Sequence, residues 1–328
     1  EEEYARFCGT KHAVGVSIGL DALRLIFEAA KVLGKLAEGD EVLVPANTYI
    51  ASILAITQSG LRPVLVEPDR ATYNIDVHAA TEAVGPRTRA ILAVHLYGQL
   101  ADMEALSALA QAQGLLLFED AAQAHGARLL DGRCAGNLSL AAGHSFYPGK
   151  NLGALGEAGA VTTSDASFAE AVATLRNYGS QQKYYNRFQG FNMRIDELQA
   201  AFLRIRLRGL DKENERRREL AALYRQEIKR PDLVLPHEAD YGQHVYHLFP
   251  ILHPRRDALQ AYLRKAGIQT MIHYPLPPHK QEAYAQWKEL SLPLTEQLHR
   301  EELSLPISPC HSDEEIHYVA HCINHFEV

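Results

Sequence analysis

Lys150 lies in the glycine-rich stretch SFYPGKNLGALGEAGA (residues 145–160), which holds almost no other charge. A Gly-Lys pair among glycines is typical of a nucleotide-binding P-loop, which requires the pattern G-x-x-x-x-G-K-[ST]. Here Asn151 stands where the magnesium-binding hydroxyl is required, and His144 replaces the first glycine. The residues after Lys150 are also too rich in glycine for the long helix that follows a P-loop. The sequence therefore argues against a nucleotide P-loop.

Lys150 is better suited to covalent chemistry. An amine that condenses with a carbonyl must be partly neutral, and desolvation and nearby cations lower its pKa toward that state. If the carbonyl belongs to pyridoxal phosphate, the site needs three further parts. These are a carboxylate that keeps the pyridine nitrogen protonated, a helix N-terminus that holds the phosphate, and a flat group that packs on the ring. The sequence offers a candidate for each.

The carboxylate candidate is Asp120 in LLLFEDAAQAHGA, at the exit of an apolar strand thirty positions before Lys150. A carboxylate at such a strand end is expected to be partly buried and in need of a cation. Gln123 follows it and could support the ring or its 3′ oxygen. Taken alone, Asp120 could equally be a solvated strand-end acid, and Gln123 an ordinary polar residue.

The phosphate candidate is the turn in VSIGLDALRLIF, where a strand breaks at Gly19 and a helix begins near Leu20–Ala22. Backbone N–H groups at a helix start are free to bind an anion. Ser145 could add a hydroxyl, and Tyr49 in PANTYIAS could stack on the ring. An ordinary βα turn, a turn serine and a core tyrosine would give the same residues.

The elements that must position these residues alternate from residue 12 to about residue 163. The predicted strands include KHAVGVS, EVLVPA, RPVLVEP, RAILAVHLYG and LLLFED, which are separated by amphipathic helical segments. Continuous apolar strands are typical of a parallel sheet that helices cover on both faces. We predict a doubly wound α/β domain of six strands, with its ligand site at the carboxyl ends of the strands.

The pattern changes after about residue 164. Two helices are predicted from apolar faces, namely Phe168, Val172 and Leu175, and then Ile195, Leu198, Phe202 and Ile205. A solvated helix, DKENERRREL, follows, and then an α+β region with VYHLFPILH as a strand and the loop IHYPLPPHK. We predict a large α/β domain over residues 1–210 and a smaller C-terminal α+β domain over residues 211–328.

Composition excludes several protein classes. The chain has 328 residues, a formal net charge of −7, 47% hydrophobic and 22% charged residues, which argues against a nucleic-acid partner. No apolar run is long enough to span a membrane and no signal-type segment is seen, so a cytoplasmic protein with reduced thiols is expected. His244 and His247 lack accompanying acidic or cysteine ligands, so no metal is predicted. The opening EEEYARF resembles the middle of a helix, so residues are expected to precede it.

The order of these pieces resembles the DegT/DnrJ/EryC1/StrS family of sugar aminotransferases, which are fold type I pyridoxal-phosphate enzymes. The resemblance covers essentially the whole chain. Its most specific stretches are VPANTYIAS, HLYGQLADM, EDAAQAHGA, SFYPGKNLGALGEAGAVTT, LRNYGS, GFNMRIDELQAAFL and IQTMIHYPLPPHKQEAY. PGKNLGALG and IHYPLPPHKQEAY are most similar to the branch that aminates C3 of dTDP-linked 3-keto-6-deoxyhexoses.

The resemblance implies a role for each candidate. Lys150 would bind pyridoxal phosphate covalently and move the proton, Asp120 would pair with the pyridine nitrogen, and Gln123 and Tyr49 would flank the ring. The phosphate would be held by Gly19, Leu20, Asp21, Ala22 and Ser145, and by Asn192 from the second subunit of a homodimer. Tyr184, Tyr185, His273 and Tyr274 would contact the nucleotide sugar. Leu20 and Ile18 depart from the family, which commonly has Thr or Ser and Asn there.

The resemblance also implies the reaction. L-Glutamate would donate its amino group, pyridoxamine phosphate would be the intermediate form of the cofactor, and a dTDP-3-amino-3,6-dideoxyhexose of galacto or gluco configuration would result. C3 amination of a 3,4,6-trideoxy sugar and C4 amination of a 4-keto sugar remain open. A pyridoxamine-phosphate-dependent dehydrase of the same family would lack Lys150. A non-catalytic cofactor- and sugar-binding regulator is the third alternative.

Overall fold

The computed structural model describes residues 1–327, and its main feature is a seven-stranded sheet. The strands are β1 (His12–Val16), β2 (Glu41–Pro45), β3 (Arg62–Val66), β4 (Thr88–Val94), β5 (Leu116–Asp120), β6 (Ala141–Ser145) and β7 (Gly159–Thr163). Their order is β1-β7-β6-β5-β4-β2-β3. The pairings from β3 to β6 are parallel, whereas β7 runs antiparallel to both of its neighbours. The mostly parallel sheet is confirmed, with seven strands rather than six.

Helices cover both faces of this sheet. The helices are α1 (Glu2–Cys8), α2 (Gly19–Val32), α3 (Ile50–Gln58), α4 (Val77–Glu82), α5 (Met103–Gln113), α6 (Ala166–Leu175), α7 (Glu197–Leu207), α8 (Leu210–Glu227), α9 (Arg256–Lys265), α10 (Pro293–Glu301) and α11 (Asp313–Asn324). Val42 and Val44 of β2 join the apolar core formed with α2, α3 and α6, and Leu43 joins the core formed with α4 and α5. Successive side chains of a strand point to opposite faces, so both faces are buried.

A third apolar core lies in the C-terminal region. It is built around an antiparallel pair, β10 (Phe249–Leu252) and β11 (Glu302–Leu305), packed with α8, α9 and α11. A short antiparallel hairpin, β8 (Ser180–Gln182) with β9 (Tyr185–Asn186), lies between the two regions in sequence. The α+β character of the C-terminal region agrees with the sequence pattern. The domain division between residues 210 and 211 stays a prediction.

Two local predictions need correction. The segment VYHLFPILH forms a strand only from Phe249, because Tyr246 adopts a left-handed backbone (φ 44°) and stacks on His244 at 3.9 Å between ring centroids. The helix DKENERRREL is only partly solvated. Asn214 and Arg217 are buried, and Arg217 donates to the carbonyls of Tyr246 and Ile307 at 3.0 Å each.

The apolar face predicted around Leu198 is present but is not covered within the chain. Helix α7 begins at Glu197, so Ile195 precedes it, and Leu203 is its buried residue. Leu198 is 78% exposed and Ile205 is 67% exposed. By contrast, the predicted face of α6 with Phe168, Val172 and Leu175 is buried.

Among residues 1–327, no helix is both long and apolar enough to cross a membrane. Over the same residues, no group of three or more His, Cys, Asp or Glu side chains is arranged to hold a metal ion.

Candidate functional site

The candidate groups meet at the carboxyl ends of the central strands. Asp120 is the last residue of β5, Ser145 is the last residue of the adjacent β6, and Lys150 follows in the loop that leads to β7. The loop folds tightly, since a Cβ on Gly153 would lie 2.5 Å from the carbonyl oxygen of Pro148. Glycine at position 153 is therefore required by the path of the loop. This loop places Lys150 near the carboxyl ends of the strands.

Lys150 is half-buried, and its backbone N–H donates to the carbonyl of Tyr147 at 2.9 Å. Its ammonium group has no hydrogen-bond or ion-pair partner among residues 1–327. Burial lowers the pKa of the Lys150 ammonium to about 8, and the charge of Asp120 partly opposes that shift. An amine with this pKa is available in both the neutral and the protonated form near neutral pH.

Asp120 is 7% exposed and has two neutral donors. Its Oδ2 accepts from the Ser52 hydroxyl at 2.6 Å, and its Oδ1 accepts from the Ala122 N–H at 3.1 Å. The Ser52 hydroxyl lies 2.8 Å from that of Thr48, four positions earlier. Sequence reasoning missed Ser52, because 68 positions separate it from Asp120. In the sequence, the four-residue spacing of Thr48 and Ser52, next to Tyr49, is the signal that could have pointed to Ser52.

The start of α2 lies against Ser145. A Cβ on Gly19 would lie 2.5 Å from the Ser145 Cβ and 3.0 Å from its hydroxyl oxygen, so glycine is required for this approach. The N-cap residue Ile18 makes no side-chain capping bond, and Ala22 N–H already donates to the Ile18 carbonyl at 3.1 Å. The N–H groups of Gly19, Leu20 and Asp21 thus precede the first intrahelical bond. They and the Ser145 hydroxyl form an anion-binding arrangement.

Asp21 adds a negative charge at this helix start. Its carboxylate accepts from the Ser17 hydroxyl, so its side chain has a local partner. Leu20 packs its side chain against the large core instead of presenting a hydroxyl. Donation at this turn is therefore by the backbone, with Ser145 as the side-chain hydroxyl.

Gln123 connects the strand ends to the loop that contains Tyr274. Its Oε1 accepts from the Tyr97 N–H at 2.6 Å, and its Nε2 donates to the Tyr274 hydroxyl at 3.0 Å. The rings of Tyr49 and Tyr274 lie 5.0 Å apart and tilted by 37°. Tyr49, Gln123 and Tyr274 are thus brought together. Tyr97 was missed, although it lies in the quoted stretch HLYGQLADM.

His273 is joined to the same network from the other side. Its carbonyl accepts from the Tyr97 hydroxyl at 2.5 Å, and its N–H donates to Glu302 Oε2 at 2.5 Å. Burial, together with the charge of Lys150, lowers the pKa of His273 to about 4. His273 is therefore neutral at physiological pH and lies within electrostatic range of Lys150.

Two further histidines, which sequence reasoning missed, lie near Lys150. His125 is buried, and neither of its ring nitrogens has a hydrogen-bond partner among residues 1–327. His247 Nδ1 lies 3.2 Å from Asn151 Oδ1. Burial, and to a smaller extent the charge of Lys150, holds the pKa of both imidazoles well below its usual range. They surround the amine with neutral groups.

The remaining candidates lie elsewhere within the chain. Tyr184, which is 85% exposed, and Tyr185 lie on the β8–β9 hairpin. Asn192 is exposed and pairs through its backbone with Asn177. The structure does not bring these three residues to the Lys150 site of the same chain.

Comparison with known proteins agrees with this geometry. A model of the DegT/DnrJ/EryC1/StrS aminotransferase family matches residues 1–324. The chain is 53% identical over 326 residues to the dTDP-3-amino-3,6-dideoxy-alpha-D-galactopyranose transaminase of Aneurinibacillus thermoaerophilus, covering 99% of this chain and 88% of that protein. It is 51% identical over 312 residues to the dTDP-3-amino-3,4,6-trideoxy-alpha-D-glucose transaminase of Streptomyces venezuelae, covering 94% and 81% respectively.

The structural comparison gives the same result. The crystal structure of S. venezuelae DesV in complex with a ketimine intermediate matches with a TM-score of 0.94 at 48% identity, over 99% of this chain and 87% of that chain. The aminotransferase fold and the family resemblance inferred from the sequence are confirmed. The chain belongs to the DegT/DnrJ/EryC1/StrS aminotransferase family.

Proposed function

We propose that this chain is a pyridoxal-phosphate-dependent aminotransferase that moves an amino group from L-glutamate to C3 of a dTDP-linked 3-keto-6-deoxyhexose. The observation that carries the proposal is the Lys150 amine, which is half-buried, has no partner among residues 1–327 and lies within electrostatic range of the buried Asp120. The relative from A. thermoaerophilus, named for the dTDP-3-amino-3,6-dideoxygalactose product, supports this substrate class.

The residues around Lys150 fit pyridoxal phosphate. In the described part of the chain, residues 1–327, Asp120 is buried with neutral donors only, which leaves its charge available for a protonated pyridine nitrogen. The uncapped start of α2 and the Ser145 hydroxyl suit a phosphate. Gln123 and Tyr49 would flank the ring from the positions described above. The cofactor would thus be held between the ends of β5 and β6 and the start of α2.

Lys150 would perform the proton transfer. When bound, pyridoxal phosphate supplies an electron sink for the carbon that loses its proton. Lys150 Nζ can take a proton and return it, because a pKa near 8 allows both protonation states near neutral pH. Asp120 would keep the pyridine nitrogen protonated, and the neutral His125 and His247 would add no cation that competes for this carboxylate.

A second substrate is favoured by one comparison. The relative from S. venezuelae, 51% identical, is named for a 3,4,6-trideoxy product. Only the substituent at C4 of the sugar distinguishes the two substrates, and a single hydrogen-bonding contact can discriminate between them strongly. C3 amination is common to both candidates, so the C4 substituent is the open variable.

A homodimer is the second part of the proposal. Leu198 and Ile205 of α7 expose an apolar face, and Gln199 of the same helix accepts from the N–H of Leu155 at 2.9 Å. Leu155 is itself exposed and belongs to the Lys150 loop. A second copy that covers this face would lie beside the site, where it could present Asn192, Tyr184 and Tyr185. Leu198→Glu should yield monomers with reduced activity, measured by light scattering and assay.

The reaction is tested by product analysis. The protein, supplied with pyridoxal phosphate and L-glutamate, is given the two C4-epimeric dTDP-3-keto-6-deoxyhexoses and the 4-deoxy analogue. We expect 2-oxoglutarate and a 3-amino sugar in equal amounts from one preferred substrate, identified by mass spectrometry and NMR. Lys150→Arg should lower the rate by about 10³-fold or more. Near-normal amino transfer by this variant, or no amino sugar from the wild type, contradicts the proposal.

A further inference from the structure

Among residues 1–327, Glu302 on β11 is a buried carboxyl without an ion pair. It is 2% exposed, its Oε2 accepts the His273 N–H at 2.5 Å, and its Oε1 lies 2.5 Å from the Ser304 hydroxyl oxygen. Arg256 donates to the backbone carbonyl of Glu302 at 2.8 Å and to the side chain of Asp257. Burial raises the pKa of Glu302 to about 8. The Glu302 carboxyl therefore changes its charge near pH 8, within the pH range in which enzymes are active.

A chain of hydrogen bonds connects this carboxyl to an imidazole. The Ser304 hydroxyl oxygen lies 2.5 Å from Glu302 Oε1 and 2.9 Å from His273 Nδ1. The hydroxyl has a single hydrogen, so it donates to one of these two groups and accepts from the other. The protonation state of Glu302 thus determines the direction of both hydrogen bonds.

The two directions give two tautomers of His273. When Glu302 is ionised, Ser304 donates to Glu302, His273 Nδ1–H donates to Ser304, and His273 Nε2 is left as an acceptor. When Glu302 is protonated, its acid proton is donated to Ser304, Ser304 donates to His273 Nδ1, and Nε2 carries the hydrogen. His273 stays neutral in both states because its own pKa is about 4.

The other end of the imidazole is free to meet a ligand. Among residues 1–327, His273 Nε2 has no hydrogen-bond partner, and this atom is not buried. The backbone of His273 is fixed by Glu302 on one side and by the Tyr97 hydroxyl on the other. A fixed ring with one solvent-accessible nitrogen can recognise a sugar hydroxyl, as a donor or as an acceptor.

The groups that face Glu302 do not obscure its titration. They are Tyr73, Tyr97, Tyr274, His273 and Arg256. Burial raises the pKa of all three tyrosines, so they stay neutral. Lys150, which acts on His273, titrates near the same pH as Glu302 and has to be controlled for.

We propose that Glu302 and Ser304 are positioning residues that select the tautomer of His273, and thereby decide whether its Nε2 donates or accepts a hydrogen bond at the sugar site. The sugar contact rests on the function proposed above, whereas the choice of tautomer does not.

The test is the tautomer itself, measured by ¹⁵N NMR of the histidine-labelled protein without sugar. The His273 signals are assigned with His273→Gln. Between about pH 6.5 and 9.5 the wild type should change from the Nε2–H to the Nδ1–H form with a midpoint near 8. Lys150→Ala should keep this transition. Glu302→Gln should show the Nε2–H form throughout, because its amide donates to Ser304 at every pH.

Two variants keep the test decisive. Ser304→Ala breaks the chain without changing the carboxyl and should abolish the transition. Glu301→Gln is the matched control, because Glu301 accepts from Gln297 and takes no part in the hydrogen bonds that connect Glu302 to His273. This variant should show the same change of His273 tautomer with pH as the wild type. A tautomer that is constant in the wild type, or a transition that persists in both Glu302→Gln and Ser304→Ala, overturns the proposal.

A kinetic measurement separates the tautomer from the sugar contact. At about pH 9, Glu302→Gln should change KM for the dTDP-sugar about 5-fold, with the half-reaction with L-glutamate unchanged. If the tautomer changes as expected but the KM does not change, Glu302 and Ser304 do select the tautomer, and His273 does not contact the sugar. If the protein transfers no amino group at all, the proposed function fails, and the NMR result still decides whether Glu302 and Ser304 select the tautomer.

Discussion

The site has two walls, and the reacting amine of one wall is held less firmly than the residues of the other. The strand-end wall consists of Asp120, Ser145 and Lys150. The loop wall consists of His273 and Tyr274, together with Glu302 and Ser304, which form hydrogen bonds with His273. Lys150 has no side-chain partner among residues 1–327, whereas each residue of the loop wall takes part in two or more hydrogen bonds. The reacting amine is thus free to move protons, while the opposite wall is fixed for recognition.

This difference predicts which substitutions affect chemistry and which affect binding. Changes to the strand-end wall should lower kcat, because they act on charge near the reacting atoms. Changes to the loop wall should act mainly on KM for the sugar, because they alter the shape and polarity of the binding surface.

Among the residues around Lys150, the largest effect is expected at Asp120. Asp120→Asn removes the charge that would hold the pyridine nitrogen protonated, and kcat should fall by about 10²–10³-fold. Asp131→Asn is the control, since Asp131 is an exposed carboxylate paired with Arg133, and its rate should match the wild type. Steady-state kinetics at saturating L-glutamate and sugar measure both. A kcat reduced less than about 5-fold by Asp120→Asn would show that the strand-end wall does not act through this charge.

The next effect is the pH dependence of the Lys150 amine. Because burial lowers its pKa to about 8, the neutral fraction should rise about tenfold per pH unit below pH 8 and level off above it. The rate at which the cofactor-free protein binds pyridoxal phosphate covalently should follow this curve, monitored by absorbance. Lys150→Ala gives the background from other lysines. A rate that keeps rising to about pH 10 would mean that Lys150 is an ordinary exposed lysine.

A smaller effect is expected at Ser52. Ser52→Ala removes one of two donors to Asp120 and leaves the Ala122 N–H, so kcat should fall about tenfold. Ser59→Ala is a matched control at the end of the same helix. Within residues 1–327 the Ser59 hydroxyl is buried without a hydrogen-bond partner, so its loss should not affect the rate. Equal rates for the two variants would show that Asp120 does not need Ser52.

The smallest effect tests whether the two walls are joined. The hydrogen bond from Gln123 Nε2 to the Tyr274 hydroxyl, 3.0 Å long, connects the loop wall to Gln123, three residues after Asp120 of the strand-end wall. A double-mutant cycle of Gln123→Ala and Tyr274→Phe, measured on kcat/KM, should show a coupling energy of about 1 kcal/mol. Additive effects would mean that the walls act independently.

The two walls also differ in how far the sequence predicts them. Asp120, Ser145 and Lys150 follow from strand ends and from motifs read along short stretches, because parallel strands place their carboxyl ends at one edge. Glu302 and Ser304 could not be placed, because 29 and 31 positions separate them from His273 and no periodicity relates them.

The apolar pattern of α7 shows the same limit. It predicts a helix with one apolar face, but it does not say what covers that face, and Leu198 is exposed within the chain. The strand predicted for VYHLFPILH begins only at Phe249 for a related reason. Stacking of His244 on Tyr246 and the left-handed backbone of Tyr246 override the extended tendency of the local sequence.

The central claim is that Lys150 is the residue that binds the cofactor covalently. Its most direct test is borohydride reduction of the protein loaded with pyridoxal phosphate, followed by digestion and peptide mass spectrometry. We expect a phosphopyridoxyl group on Lys150 and its loss after prior incubation with L-glutamate. A label on another lysine, or none on Lys150, would show that Lys150 does not bind the cofactor covalently.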